Sequence, residues 1–135
     1  PDKFVDHVIK FCVNNHSCVN AAIQYGGIAA LEGTEEPLEE MMKKFSSRRK
    51  LIHEGLNSLK GIKCSLPGGA FYAFPNIKDT GMNGTDFAKK CLHDAGVAIV
   101  PGTSFGKLAK DYVRFSFAAS SDNISRALEN IKKIL

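Results

Sequence analysis

The chain has 135 residues, 44% of them hydrophobic and 24% charged, which is the length of one domain and an ordinary globular composition, so disorder, a collagen repeat and a coiled coil are excluded. The formal net charge of +4, from 18 basic against 14 acidic residues, is mild and dispersed along the chain, so no nucleic-acid partner is expected. No apolar run approaches the roughly 20 residues of a membrane span and no secretory pattern opens the chain, so no membrane association is expected either.

Residues 4–12 read as a short helix with Phe4, Val8 and Phe11 on one side, broken at Asn14-Asn15-His16-Ser17. Ser17 reads as the N-cap of a second helix over 18–32, rich in small residues that include Gly26 and Gly27. Glycine weakens a helix, so keeping both suggests a close-packed neighbour, and Gly33 is the natural stop. Glu35-Glu36-Pro37 opens a third helix running to about Leu59. Its apolar stripe is Leu38, Met41, Met42, Phe45, Ile52, Leu56 and Leu59. Where the stripe asks for an apolar residue it meets Arg48 and Arg49; either one lays its stem across the core edge or both stand in solvent.

After Gly61, the alternation of Ile62, Cys64 and Leu66 predicts a half-buried strand. With the turn Pro67-Gly68-Gly69 and a second strand over 70–74, it makes a hairpin. A polar loop leads to a helix capped by Thr85, with Phe87, Ala88, Cys91, Leu92 and Ala95 inward and Gly96 at its end. Val97 to Val100 reads as a short buried strand and Tyr112 to Phe117 as another. Ser120 or Ser121 caps a last helix with Ile124, Ala127, Leu128, Ile131 and Leu135 inward. The expected fold is α+β or mixed α/β: a small, mostly antiparallel sheet with helices over one face.

The four cysteines show no CxxC spacing and the four histidines stand apart, so no metal site is expected. Cys64 and Cys91 fall at apolar positions, which favours reduced thiols in a cytoplasmic protein. Gly102-Thr103-Ser104-Phe105-Gly106 matches the G-x-S-x-G of serine hydrolases. That elbow needs a helix after the turn and a histidine after the serine, and the last histidine is His93, so this reading fails. Gly68-Gly69 lacks phosphate-loop spacing. Arg114 is the sharpest single residue. In the strand 112–117, Val113, Phe115 and Phe117 share one face, while Tyr112, Arg114 and Ser116 share the other. A guanidinium held at mid-strand can grip a carboxylate in a bidentate fork, although side-chain physics alone favours an arginine standing in solvent.

Three segments taken together resemble a known family. Pro67-Gly68-Gly69-Ala70-Phe71-Tyr72-Ala73-Phe74-Pro75 is similar to the P-x-G-A-F-Y-x-F-P of class I/II aminotransferases, pyridoxal-phosphate enzymes of the aspartate aminotransferase fold type. Val97-Ala98-Ile99-Val100-Pro101-Gly102-Thr103-Ser104-Phe105-Gly106 is similar to their V-A-V-V-P-G-x-x-F-G, and Tyr112 to Ala118 to their x-x-R-F-S-F/Y-A. The resemblance runs through essentially the whole chain.

The resemblance implies the C-terminal part of such an enzyme. Residues 1–35 would be the tail of the large cofactor-binding domain, and 36–135 the long interdomain helix and the small domain. The chain opens on Pro1 rather than Met, which fits an excised piece. By the same resemblance Arg114 binds the substrate carboxylate, Gly102 and Phe105 border the active site, and the stretch 14–20 lies near the interface of a homodimer. The parent would use pyridoxal 5′-phosphate to move an amino group between an L-amino acid and a 2-oxo acid, and related lyases and synthases share the scaffold. The lysine that forms the Schiff base with the cofactor belongs to a serine-rich motif that does not occur here. No catalytic residue is therefore assigned, and the chain alone is expected to be inactive. The alternative is a free-standing α+β module that binds a carboxylate or a partner without catalysis.

Overall fold

The structure is a computed structural model that describes residues 2–135. It divides into two compact units, residues 1–38 and 39–135, with the division inside the first turn of a long helix.

The first unit carries helix α1 (Val5–His16) after a 3-10 turn at Asp2–Phe4, and helix α2 (Ala21–Glu32). The expected break at Asn14 does not occur. Its side-chain Nδ2 donates to the Lys10 carbonyl at 2.7 Å, a bond back along the helix that lets α1 run to His16. Ser17 is the residue after α1, at φ 55°, and not a cap of α2. That cap is Asn20, whose Oδ1 accepts from the Ala22 amide at 2.8 Å. Gly33 does end α2, at an extended φ of −74°. A side chain there would meet the Ala29 carbonyl oxygen at 2.7 Å, so close approach and not left-handed geometry asks for glycine. Gly26 and Gly27 have nothing within 4 Å of where a Cβ would stand.

The second unit holds most of helix α3 (Glu36–Asn57), then strand β1 (Tyr72–Ala73), helix α4 (Gly84–Ala95), strands β2 (Val100–Pro101) and β3 (Val113–Ser116), and helix α5 (Ser121–Ile134). The sheet is antiparallel with order β1-β3-β2. Tyr72 pairs with Ser116, Ala73 with Phe115, Val100 with Arg114 and Pro101 with Val113. One face of β3, Val113 and Phe115 with Phe117 beyond, is buried. It packs in one cluster with Ile52 and Leu56 of α3, Phe87 and Cys91 of α4, and Ile124, Leu128 and Ile131 of α5. Helices cover one face of a small antiparallel sheet, as the patterning predicts.

Several local expectations are overturned. Residues 62–66 are not a strand, and 62–74 is not a hairpin. Only Lys63 pairs across, with its amide and carbonyl bonded to Asn76 at 2.9 and 2.8 Å. The Cys64 amide donates to Asn57 Oδ1 and its carbonyl accepts from Asn57 Nδ2, both at 2.9 Å, so a side chain of α3 takes the bonds a partner strand would make. Ile62 and Cys64 are buried as expected, but Leu66 is exposed. The strand over 70–74 shortens to two residues because Ala70 sits at φ 56°, outside extended geometry. The segment 97–100 contributes only Val100 to the sheet, and it is half-buried. The Val97 amide instead closes the end of α4 on the Cys91 carbonyl at 2.9 Å.

The cap of α4 is Asn83, not Thr85. Its Oδ1 accepts from the amides of Thr85 and Asp86, each at 3.0 Å. Ser120 caps α5 through the Asn123 amide at 3.2 Å. Leu92, Leu135, Leu38, Met41 and Met42 are exposed, not inward. Arg48 and Arg49 are both half-buried; the Arg48 guanidinium lies 5.6 Å from the Phe45 ring. All four cysteines are free. Cys64 and Cys91 are buried, Cys12 and Cys18 exposed. No helix among the described residues is long and apolar enough to cross a membrane.

Candidate functional site

Arg114 stands at the middle of the central strand. Its neighbours Val113 and Phe115 point into the core, so the two-residue period of the strand turns Arg114 to the opposite face, where it is half-buried. Register then decides what it meets. Tyr72 sits opposite Ser116 on β1, which makes it the diagonal neighbour of Arg114 on that face. The Arg114 Cζ lies 4.3 Å from the centre of the Tyr72 ring. From the other side of β3, the turn that follows β2 brings in Phe105, with its ring centre 5.0 Å from the same atom. Among the described residues no carboxylate forms an ion pair with Arg114; the three ion pairs are Lys44 with Glu40, Lys63 with Asp79 and Lys90 with Asp94.

Phe105 owes its place to two glycines. Gly102 opens the 3-10 turn Gly102–Phe105, is buried, and donates its amide to the Tyr112 carbonyl at 2.8 Å. A Cβ on Gly102 would meet the backbone carbonyls of Ala109 and of Tyr112, the latter at 2.6 Å, so the turn can lie this close to the chain before β3 only without a side chain. Gly106 closes the turn at φ 132°, a backbone state open to glycine, with its amide on the Thr103 carbonyl at 3.3 Å. Ser104 is exposed on this turn and no helix follows it, so no hydrolase elbow is built.

Behind Phe105 stands a short stack. Phe74 meets the Phe105 ring edge-on at 5.7 Å and lies flat against Tyr112 at 5.3 Å, 10° from parallel. Of the residues singled out from sequence, Arg114 and Phe105 come together and Gly102 holds the turn between them. Tyr72, Phe74 and Tyr112 were read only as hairpin and strand residues. The alternation in 112–117 already places Tyr112 on the Arg114 face, but the β1–β3 register that adds Tyr72 has no signature in either segment alone.

The family description "Aminotransferase class I and II" matches residues 2–131. The chain belongs to the class I and II aminotransferases. It is 39% identical over 137 aligned positions to an aspartate aminotransferase of Pyrococcus abyssi, covering all of this chain and 35% of that protein. It is 35% identical to aromatic-amino-acid aminotransferase 2 of Thermococcus litoralis, again over all of this chain and 35% of the relative. A crystal structure of an aromatic aminotransferase from Pyrococcus horikoshii superposes with a TM-score of 0.88 at 37% identity, covering 100% of this chain and 36% of that one. The chain thus spans about 35% of the length of the curated relatives it matches.

Proposed function

We propose that this chain is the C-terminal part of an aminotransferase that moves an amino group between an L-amino acid and a 2-oxo acid, and that Arg114 supplies its grip on the substrate carboxylate. One observation carries the assignment: a half-buried guanidinium at the middle of the central strand, flanked by ring faces and in no ion pair among the described residues. A planar fork of N–H donors matches a carboxylate in two parallel bonds, and a charge-assisted pair of that kind fixes orientation as well as affinity. Both partners of a transamination carry an α-carboxylate, so one arginine serves both half-reactions.

Family membership implies pyridoxal 5′-phosphate. Around Arg114 the chain offers one guanidinium, the rings of Tyr72 and Phe105 and, behind Phe105, Phe74 and Tyr112. That set can grip a carboxylate and cover apolar carbon. It holds no primary amine to condense with an aldehyde and no cluster of phosphate donors, so these residues by themselves do not fit the cofactor. In this reading the cofactor and its lysine belong to the rest of the parent, and the 135-residue chain alone does not transaminate.

The first unit supports the same reading. Phe4, Val5, Val8, Ile9, Phe11, Ile23 and Leu31 are all exposed, and so large an apolar surface calls for a cover. We assign that cover to the large domain of the parent, with residues 1–35 as its tail. The family resemblance further implies a homodimer in the cytoplasm.

The test is kinetic, in the full-length parent. Arg114→Ala is expected to lower kcat/KM for amino acids by about 100-fold, the scale of losing one partner of a hydrogen-bonded charge pair. Arg114→Lys is expected to recover only part, since an ammonium is a point charge and not a fork. Near-wild-type kinetics in Arg114→Ala would overturn the assignment.

A further inference from the structure

We propose that Tyr72 and Phe105 are positioning residues for Arg114: two aromatic rings, brought to the guanidinium from the two sides of the central strand, hold it in place and leave its N–H donors for the substrate carboxylate. The proposal rests on the carboxylate-binding reading of Arg114. A long arginine side chain on a sheet face has several rotamers to lose, and ordering it costs affinity each time a ligand binds. Here the ordering is built in. The Tyr72 ring lies 4.3 Å and the Phe105 ring 5.0 Å from Cζ, both inside the roughly 6 Å reach of a cation–ring attraction. A ring attracts the cation without consuming a donor, so a guanidinium held this way keeps its fork free. A carboxylate partner from the protein would have competed with the substrate, and none pairs with Arg114 among the described residues.

The supports are themselves supported. Tyr72 is packed by Phe71, with ring centres 4.5 Å apart, and Phe71 meets Phe45 of α3 at 6.2 Å. Phe105 is 52% exposed, too open for the core to fix, and its order comes from Phe74, which lies flat on Tyr112. Arg114 is thus tied on one side to α3 and on the other to the start of its own strand. The role predicts that ring faces matter and the Tyr72 hydroxyl does not.

The experiment uses the full-length parent, with 3-phenylpropionate as a carboxylate probe lacking an amino group and its amide as the uncharged control. Tyr72→Leu and Phe105→Leu are each expected to weaken 3-phenylpropionate about five- to tenfold, about 1 to 1.4 kcal/mol. Each should raise KM for the amino acid with kcat within about twofold, whereas Tyr72→Phe and Phe105→Tyr remain near wild type. In an Arg114→Ala background the same ring losses should change binding by less than about twofold, because two residues acting through a third lose their effect with it.

A ligand-free reading comes from the Arg114 Nε–H resonance, which both rings should shift upfield and Tyr72→Leu should move back. Because Phe105 is exposed, Phe105→Leu keeps the test open if Tyr72→Leu fails to fold. Wild-type affinity in both leucine variants, or ring effects that persist without Arg114, would overturn the positioning role. Loss of carboxylate preference over the amide in none of the Arg114 variants would overturn the carboxylate reading beneath it, and the resonance shift separates the two failures.

Discussion

Two regions of one chain use the same apolar residue types in opposite ways. In residues 39–135, buried Ile52, Leu56, Phe87, Phe115, Ile124 and Ile131 close into one cluster between α3, α4, α5 and the sheet. In residues 2–38, α1 and α2 present Phe4, Val8, Phe11, Ile23 and Leu31 to solvent, Leu31 at 89% exposure, and no residue is buried. Amphipathic spacing reports that a helix has an apolar side; it does not report what covers that side. One region carries its own cover. The other is half of an interface whose remainder we assign to the parent protein.

The sharpest way to break the comparison is to strike the packed region where it has no slack. Gly102→Ala would drive a methyl group into the carbonyls of Ala109 and Tyr112 and is expected to cost about 4 kcal/mol in urea unfolding, among the larger single-substitution effects. Leu56, fully buried in α3, comes next: Leu56→Ala is expected to cost about 3 kcal/mol, transfer and cavity together. A loss below about 1 kcal/mol at Leu56 would mean that the core is looser than its burial.

Cysteine chemistry sharpens the contrast more gently. Exposed Cys12 and Cys18 should react with an aromatic disulfide reagent at once, and buried Cys64 and Cys91 only on unfolding. Burial pushes the Cys91 thiol from its ordinary 9.0 up to about 12, and Cys64 upward for the same reason. Between about pH 9 and 12 the unfolded chain therefore holds fewer protons than the folded one, so this contribution to stability is present below pH 9 and is lost as pH rises. Cys91→Ala should flatten the alkaline fall in melting temperature; an unchanged slope would remove Cys91 as its source. The smallest expected effect lies in the uncovered region. Ile23→Ser should move unfolding of the isolated chain by no more than about 0.5 kcal/mol while reducing its self-association in sedimentation. Destabilisation comparable to that of Leu56→Ala would erase the distinction between the two regions.

Much of this was legible from residues alone, where a local rule met no competitor. The buried set of α5 followed from 3.6-residue spacing. The inward Val113 and Phe115 and the outward Arg114 followed from alternation, and the start of α3 from Glu36-Pro37. Errors clustered where a side chain took over a backbone bond. Asn14 bonding back to Lys10 lengthened α1, Asn20 and Asn83 displaced Ser17 and Thr85 as caps, and Asn57 absorbed the amide and carbonyl of Cys64 so that 62–66 never became a strand. An asparagine can serve a turn, a cap or a distant loop, and neighbouring sequence does not say which.

By itself, then, the sequence determined the family, the class of fold and the residue most suited to hold a carboxylate, because periodicity, composition and motif are local properties. Tertiary structure alone decided that Tyr72 and Phe105 meet Arg114. Their approach depends on the register of β1 against β3 and on how closely the Gly102 turn lies against the chain, and both are settled by packing between segments about 30 to 40 residues apart, where the entropy of closing the chain is repaid only by the finished core.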